Sequence, residues 1–157
     1  MLDPDDDNDG VADTDDAYPR DPSKSSDSDS NGDENTTVSG RVIDGYISGA
    51  VAFLDLNFDG ELSINEPSAT SGTDGLFQFT LSDQELSCAA YVPTVVNVPV
   101  GAIDEEFGVV DKAFNLVLPP RFTSLTTASR LNVSPITSVV WQAFETELRS
   151  SLPDLNC

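Results

Sequence analysis

The sequence predicts a mainly β domain, a sandwich of short antiparallel strands, with an acidic arm before it and a single helix after it. Three observations predict this. Between residues 38 and 120, short alternating or wholly apolar runs are separated by Gly, Pro, Asp and Asn, as in half-buried strands joined by turns. Residues 1–37 are rich in Asp and Ser and hold almost no core formers. Residues 134–148 alone carry a convincing helical apolar period.

In chain order, residues 38–43 and 50–56 read as the first strands, with Asp44-Gly45 marking a turn near Tyr46. Asp74-Gly75 turns the chain into residues 76–81. Their alternation puts Leu76, Gln78 and Thr80 on one face and Phe77, Phe79 and Leu81 on the other, the aromatic face pointing inward. Further strands are expected at 89–96, 108–110 and 113–118, before Pro119-Pro120 ends the region. That makes about six or seven short strands, enough for a sandwich. In the last part Ser134 suits an N-cap and Pro135 the first helical turn. Ile136, Val140, Phe144 and Leu148 recur every fourth residue, with Trp141 widening the stripe, and Pro153 prevents continuation. The stripe is expected to cap the core, with an interaction helix as the alternative. The organisation predicted is an arm (1–37), a β-sandwich (38–120) with an inserted loop (55–66), and a C-terminal helical segment (121–157).

The inserted loop carries the chemistry. With Asp55 at position one, Asn57 and Asp59 stand at three and five, Gly60 at six where the chain must turn, and Glu66 at twelve as a bidentate carboxylate. Glu61 offers its carbonyl at seven, and Ser63 ligates at nine directly or through water. This is the spacing of a calcium loop supplying about six to eight oxygens. An acidic hairpin turn would explain Asp-Gly alone but not all five positions. The preceding Ala50-Val51-Ala52-Phe53-Leu54 is short and rich in strand formers, so the loop is expected on a strand and not between two helices. The arm repeats the pattern. Asp5, Asp7, Asp9 and Gly10 are followed by Val11 at the carbonyl position, Asp13 at nine and Asp16 at twelve. A degraded copy starts with Asp27, Asp29, Asn31 and Gly32, with Asn35 at nine and Val38 at twelve.

The run from Asp5-Asp6-Asp7-Asn8-Asp9-Gly10 through Asp13-Thr14-Asp15-Asp16 to Tyr18-Pro19-Arg20-Asp21-Pro22 resembles the thrombospondin type 3 repeat of bacterial surface proteins. That family wraps calcium with little apolar core. The resemblance implies ligation by Asp5, Asp7, Asp9, Asp13, Asp15, Asp16 and Asp21, without the cysteines of many animal members. Val38-Ser39-Gly40-Arg41-Val42-Ile43-Asp44-Gly45-Tyr46-Ile47-Ser48-Gly49-Ala50, with Phe53-Leu54-Asp55, Glu66-Pro67 and Thr73-Asp74-Gly75-Leu76-Phe77, resembles the repeated B-type modules of bacterial adhesins. Those are transthyretin-like or immunoglobulin-like sandwiches with EF-hand-like loops between strands, and the resemblance implies the same here.

A formal net charge of -21, from 28 acidic and 7 basic residues, excludes nucleic acid as a partner and disfavours the compact state unless cations compensate. With no histidine, imidazole metal sites and Ser-His triads are excluded. Cys88 and Cys157 make no metal spacing; either a disulfide in an oxidising compartment or one buried and one terminal thiol fits them. No apolar run approaches the roughly 20 residues of a membrane span, so membrane insertion is not expected. The residues after Met1 are acidic, so any export signal is expected to be removed or to lie upstream.

Residues and resemblances together lead to the expectation of a non-catalytic, calcium-stabilised extracellular module at a bacterial cell surface, holding about two to four ions. It would serve as an adhesin part, as a spacer in a large repeat adhesin, or as a filament subunit joined by strand exchange. Its partners would be copies of itself or other surface modules. A carbohydrate-binding module is the alternative, with Tyr91 and Trp141 as the platform candidates for a glycan. A hydrolase using Asp104, Glu105, Glu106 and Asp111 is disfavoured because these acids fall in an expected hairpin loop without cleft walls. A calcium sensor is disfavoured by the absence of a Met-rich groove, since Met1 is the only methionine.

Overall fold

The computed structural model describes residues 35–151, with side chains to Leu148. The chain divides between Glu34 and Asn35, and everything below concerns the unit that begins at Asn35. The elements are β1 (Thr36–Arg41), β2 (Ile47–Ser48), β3 (Val51–Leu54), β4 (Ser68–Thr70), a 3-10 turn (Thr73–Gly75), β5 (Leu76–Leu81), α1 (Asp83–Ala89), β6 (Thr94–Val98), β7 (Ile103–Asp104), β8 (Gly108–Val109), β9 (Phe114–Leu118) and α2 (Pro135–Ser151).

The described unit is mainly β, and all three of its sheets are antiparallel. One sheet is the pair β1–β5, a second has the order β2-β7-β8, and the third has the order β4-β3-β6-β9. The inner face of β5 is the one the alternation predicts: Phe77, Phe79 and Leu81 are buried while Leu76, Gln78 and Thr80 face solvent. Those side chains share one cluster with Val38 and Val42 from the β1 side and with Ala52, Leu54, Val96, Val98 and Leu116 from the four-stranded sheet. A core filled from two sheets is consistent with a sandwich.

The open edge of β1 is covered by residues 130–133, which run parallel to it. Leu131 N–H donates to the Ser39 carbonyl (2.9 Å), Val133 N–H to Arg41 (2.9 Å), and Ile43 N–H to Val133 (2.8 Å). Leu125, Leu131 and Val133 thereby enter the same core, so the segment read as C-terminal and helical also supplies a strand-like wall to the sandwich.

Three expectations need correction. The strand expected at 89–96 starts only at Thr94, because residues 83–89 form α1. Ser82 and Glu85 explain it: the Ser82 hydroxyl accepts from Glu85 N–H while the Glu85 carboxylate accepts from Ser82 N–H, a capping box. The stripe expected to cap the core does not do so. Ile136 is 77% exposed and Val140 and Phe144 are also exposed, whereas Trp141 is 6% exposed. Helix α2 is rotated so that Trp141 faces the protein and its wider apolar stripe faces outward. The strand expected at 50–56 ends at Leu54, where the loop takes over.

Gly40 sits where β1 passes closest to its neighbours: a Cβ there would collide with the Leu131 carbonyl and the Phe77 ring. Gly40→Ala must displace either the parallel wall or a core aromatic. It is expected to cost about 1–3 kcal/mol in urea unfolding, against a few tenths for an exposed site such as Ser124→Ala.

Candidate metal centre

The loop of residues 55–66 leaves β3 and returns into β4, whose strands pair in the register Phe53 to Ser68. Leu54 N–H donates to the Pro67 carbonyl (3.0 Å), which pins the two ends together. A loop closed in this way can project its oxygens inward without a helix on either side, as the strand-rich flank predicts.

Its carboxylates hold the turn. Asp55 is 1% exposed and accepts from two backbone amides, Asp59 N–H on Oδ1 (3.1 Å) and Gly60 N–H on Oδ2 (3.0 Å). Asn57 Oδ1 accepts from Asp59 N–H (2.9 Å), and Asp59 Oδ1 from Glu61 N–H (2.7 Å). Asn57 Nδ2 donates to Asp59 Oδ2 (2.8 Å) and Ser63 Oγ (3.3 Å). Glu66, 8% exposed, folds back over the start of the loop: Leu56 N–H donates to Oε1 (2.9 Å) and Ser63 N–H to Oε2 (2.8 Å). Gly60, at φ 77°, and Phe58, at φ 60°, both occupy the left-handed region. Phe58 accepts a conformation unfavourable to a side chain so that the turn can close.

Burial raises the Asp55 carboxyl above the ordinary 3.8, opposed by the Gly60 amide bond and reinforced by the negative charges of Glu66 and Asp59; the Asp59 amide bond also opposes it. The described arginines are committed elsewhere. Arg41 bonds the Asp74 carbonyl (2.6 Å) and lies over the Tyr46 ring, Arg121 bonds the Arg130 carbonyl, and Arg130 bonds the carbonyls of Thr127 and Ser129. The loop therefore brings like charges together without an arginine to balance them.

Among the described residues, no three acidic, cysteine or histidine side chains form a chelating group by themselves. Asp55, Asp59 and Glu66 instead spend one lone pair per bonded oxygen on loop amides, and each carboxylate oxygen retains a second. A cation here would need those remaining lone pairs together with neutral oxygens from Asn57, Glu61 and Ser63. That hard, all-oxygen donor set fits calcium, and the lone buried pair with its raised carboxyl supplies the electrostatic demand for it. Of the sequence-expected ligands, Asp55, Asn57, Asp59, Glu61, Ser63 and Glu66 thus lie on one loop. Asp5, Asp7, Asp9, Val11, Asp13, Asp15, Asp16, Asp21, Asp27, Asp29 and Asn31 lie outside the described residues.

The loop also has neighbours that sequence reading missed. A cavity of about 280 Å3 borders Asp55, Asp59 and Gly60 and continues to Asn115 on β9 and to Trp141 and Glu145 on α2. No local signal marks them, because they reach the loop through strand pairing and helix docking.

The other candidate residues have structural duties. Asp104 is buried and its Oδ1 accepts from Glu106 N–H (2.8 Å) and Phe107 N–H (2.9 Å), closing the β7–β8 hairpin as expected. Glu105 accepts from Asp74 N–H (2.8 Å). Trp141 is too buried to serve as a sugar platform, whereas Tyr91 is exposed and meets Phe122 edge-on at 6.2 Å between centroids. Cys88 is disulfide-bonded; Cys157, the only other cysteine, lies outside the described residues. Among the described residues no helix is long and apolar enough to cross a membrane.

The raised Asp55 carboxyl gives a pH signature. A carboxyl raised on folding binds protons in the native state that the unfolded chain has already lost, so its contribution to stability declines as pH rises above about 3.8. In chelator, the melting-temperature difference between wild type and Asp55→Ala is expected to shrink as pH rises from about 4 toward neutrality. A difference that grew over that range would contradict the assignment.

No protein-family model, curated protein or solved structure matches this chain.

Proposed function

We propose that this chain is a non-catalytic, calcium-stabilised structural or adhesion module that works outside the cell, at a bacterial surface. One observation carries the reading: Asp55 and Glu66 are buried together on a twelve-position loop between paired strands. Groups so placed repel each other until a cation satisfies them, so ion binding becomes folding free energy. The immunoglobulin-like or transthyretin-like sandwich suits such a module, since a loop tied at both ends to β3 and β4 transmits that energy to the sheet. Calcium levels outside cells suit a site of modest affinity. The disulfide at Cys88 suits an oxidising compartment. The acidic arm, read as a thrombospondin type 3-like segment, would take further calcium and extend the module as a spacer. Copies of the chain or other surface modules are the proposed partners, and a filament of strand-exchanged subunits is one form that partnership takes.

Calorimetric titration tests the loop directly. Calcium is expected to bind with one site fewer in Asp59→Ala than in the wild type. Calcium at 100 times a site's dissociation constant adds about 2.7 kcal/mol, which for a domain of this size raises the melting temperature on the order of 10 °C. Equal stoichiometry and equal calcium-dependent stabilisation in the variant and the wild type would refute the site.

A second reading, glycan binding, draws on the exposed Tyr91–Phe122 pair, whose rings present apolar faces at the surface. A glycan array decides it. One sharply preferred sugar, lost in Tyr91→Ala, would favour a binding module over a scaffold.

A further inference from the structure

We propose that the occupancy of the Asp55–Glu66 loop controls whether α2 stays seated on the sheet: a cation in the loop holds the helix down, and its loss releases it. The proposal rests on the calcium reading above and extends it to a conformational device.

The seat of α2 is narrow. Phe53, Val95 and Val117 are successive partners across β3, β6 and β9, so they share the sheet face opposite to the main core. Val95 and Val117 line the same cavity as Trp141, the one residue of the helix that is buried. Ile136, Val139, Val140 and Phe144 add nothing to the seat because they are exposed. One hydrogen bond supplements Trp141: Val117 N–H donates to Ser138 Oγ (2.8 Å), and the Ser138 hydroxyl in turn donates to the Ser134 carbonyl (3.1 Å). A helix held by one buried ring and one side-chain bond is easily displaced by a change beneath it.

The loop lies at that point. Asp55, Asp59 and Gly60 form one wall of the cavity and Trp141, Gln142 and Glu145 the facing wall. Two carboxylates of the loop and one of the helix therefore border the same small space, with Glu66 adding a charge from behind Asp55. With a divalent cation in the loop, two of those charges are neutralised and the Asp59–Gly60 turn is fixed in the shape on which the indole rests. Without it, the like charges act across a space with little water to screen them, and both the turn and the helix relax apart.

Release has a structural consequence. Strand β9 is the edge of its sheet, and α2 occupies the Val117 N–H on that edge. Lifting the helix would free this donor and join Trp141 to the exposed apolar stripe. An empty loop would thereby convert a covered edge into an open one.

Trp141 is the only tryptophan, so its emission reports on the seat without labelling. The full chain would be titrated with calcium from chelator while emission, acrylamide quenching and amide exchange of residues 135–148 are followed, with calorimetry in parallel on the wild type and Asp59→Asn. The expected result is red-shifted, more quenchable emission in chelator, with α2 amides exchanging at least tenfold faster and those of β5 little changed. Calcium reverses this in the wild type and not in Asp59→Asn. Glu145→Gln, which removes a facing charge and leaves the loop intact, is expected to keep calcium binding and to reduce the chelator effect on α2. Should calorimetry show the loop site while emission and α2 exchange ignore calcium, the coupling is wrong and the metal centre stands. Should Asp59→Asn bind the same number of ions as the wild type, the metal centre itself falls. A wild-type response retained in full by Asp59→Asn would assign the change to another site and overturn the coupling.

Discussion

Taking a carboxylate out of water is unfavourable unless hydrogen bonds or an opposite charge compensate, and Asp55 is buried at the end of β3 with Asp59 and Glu66 beside it. Backbone amides meet part of the demand. Every turn of the loop is held by an N–H donated to one of its side-chain oxygens, and Phe58 adopts a left-handed backbone to make this possible. The net charge is untouched by those bonds. The loop is therefore a sound scaffold and an unsatisfied electrostatic site at once, which is the condition in which a hard cation adds most to stability.

The rest of the fold keeps that loop from relaxing the problem away. Pairing of β3 with both β4 and β6 fixes the two ends, and the Phe77, Phe79 and Leu81 face of β5 fills the space behind the sheet. Residues 130–133 complete the wall by lying parallel to β1, with Gly40 leaving room for Leu131 and Phe77. If the loop could swing into solvent, its carboxylates would simply hydrate. Tied to a packed core, they stay close together.

Helix α2 shows how a periodic pattern can be right about an element and wrong about its orientation. Ser134 caps it and Pro135 opens it, as the sequence implies: the Ser134 hydroxyl accepts from Thr137 N–H and Thr137 Oγ1 accepts from Ser134 N–H. Its fourth-residue stripe nevertheless points outward. The sheet face available to it is a single apolar row between polar neighbours such as Asn115 and Thr70, so one indole fills it and a broad stripe finds no match. Amphipathicity measures how apolar residues are distributed around a helix and carries no information about the width of the surface that receives it.

The amino-acid sequence by itself determined what is local. The inner face of β5 follows from strict alternation, the ends of α2 from capping chemistry, and the placing of Asp55, Asn57, Asp59, Ser63 and Glu66 along one turn from spacing alone. The capping box Ser82-Asp83-Gln84-Glu85 was equally legible and marks α1, but an apolar run after it drew the strand assignment across the boundary. Only the tertiary structure decided what depends on distant partners: that residues 130–133 close β1, that Trp141 and not Ile136 meets the sheet, and that Asn115 and Glu145 stand beside the loop. Local geometry is set by torsions and hydrogen bonds among neighbours in sequence. Burial and electrostatic environment are set by whichever segments the core brings together, and here those lie some 60 to 90 residues away along the chain.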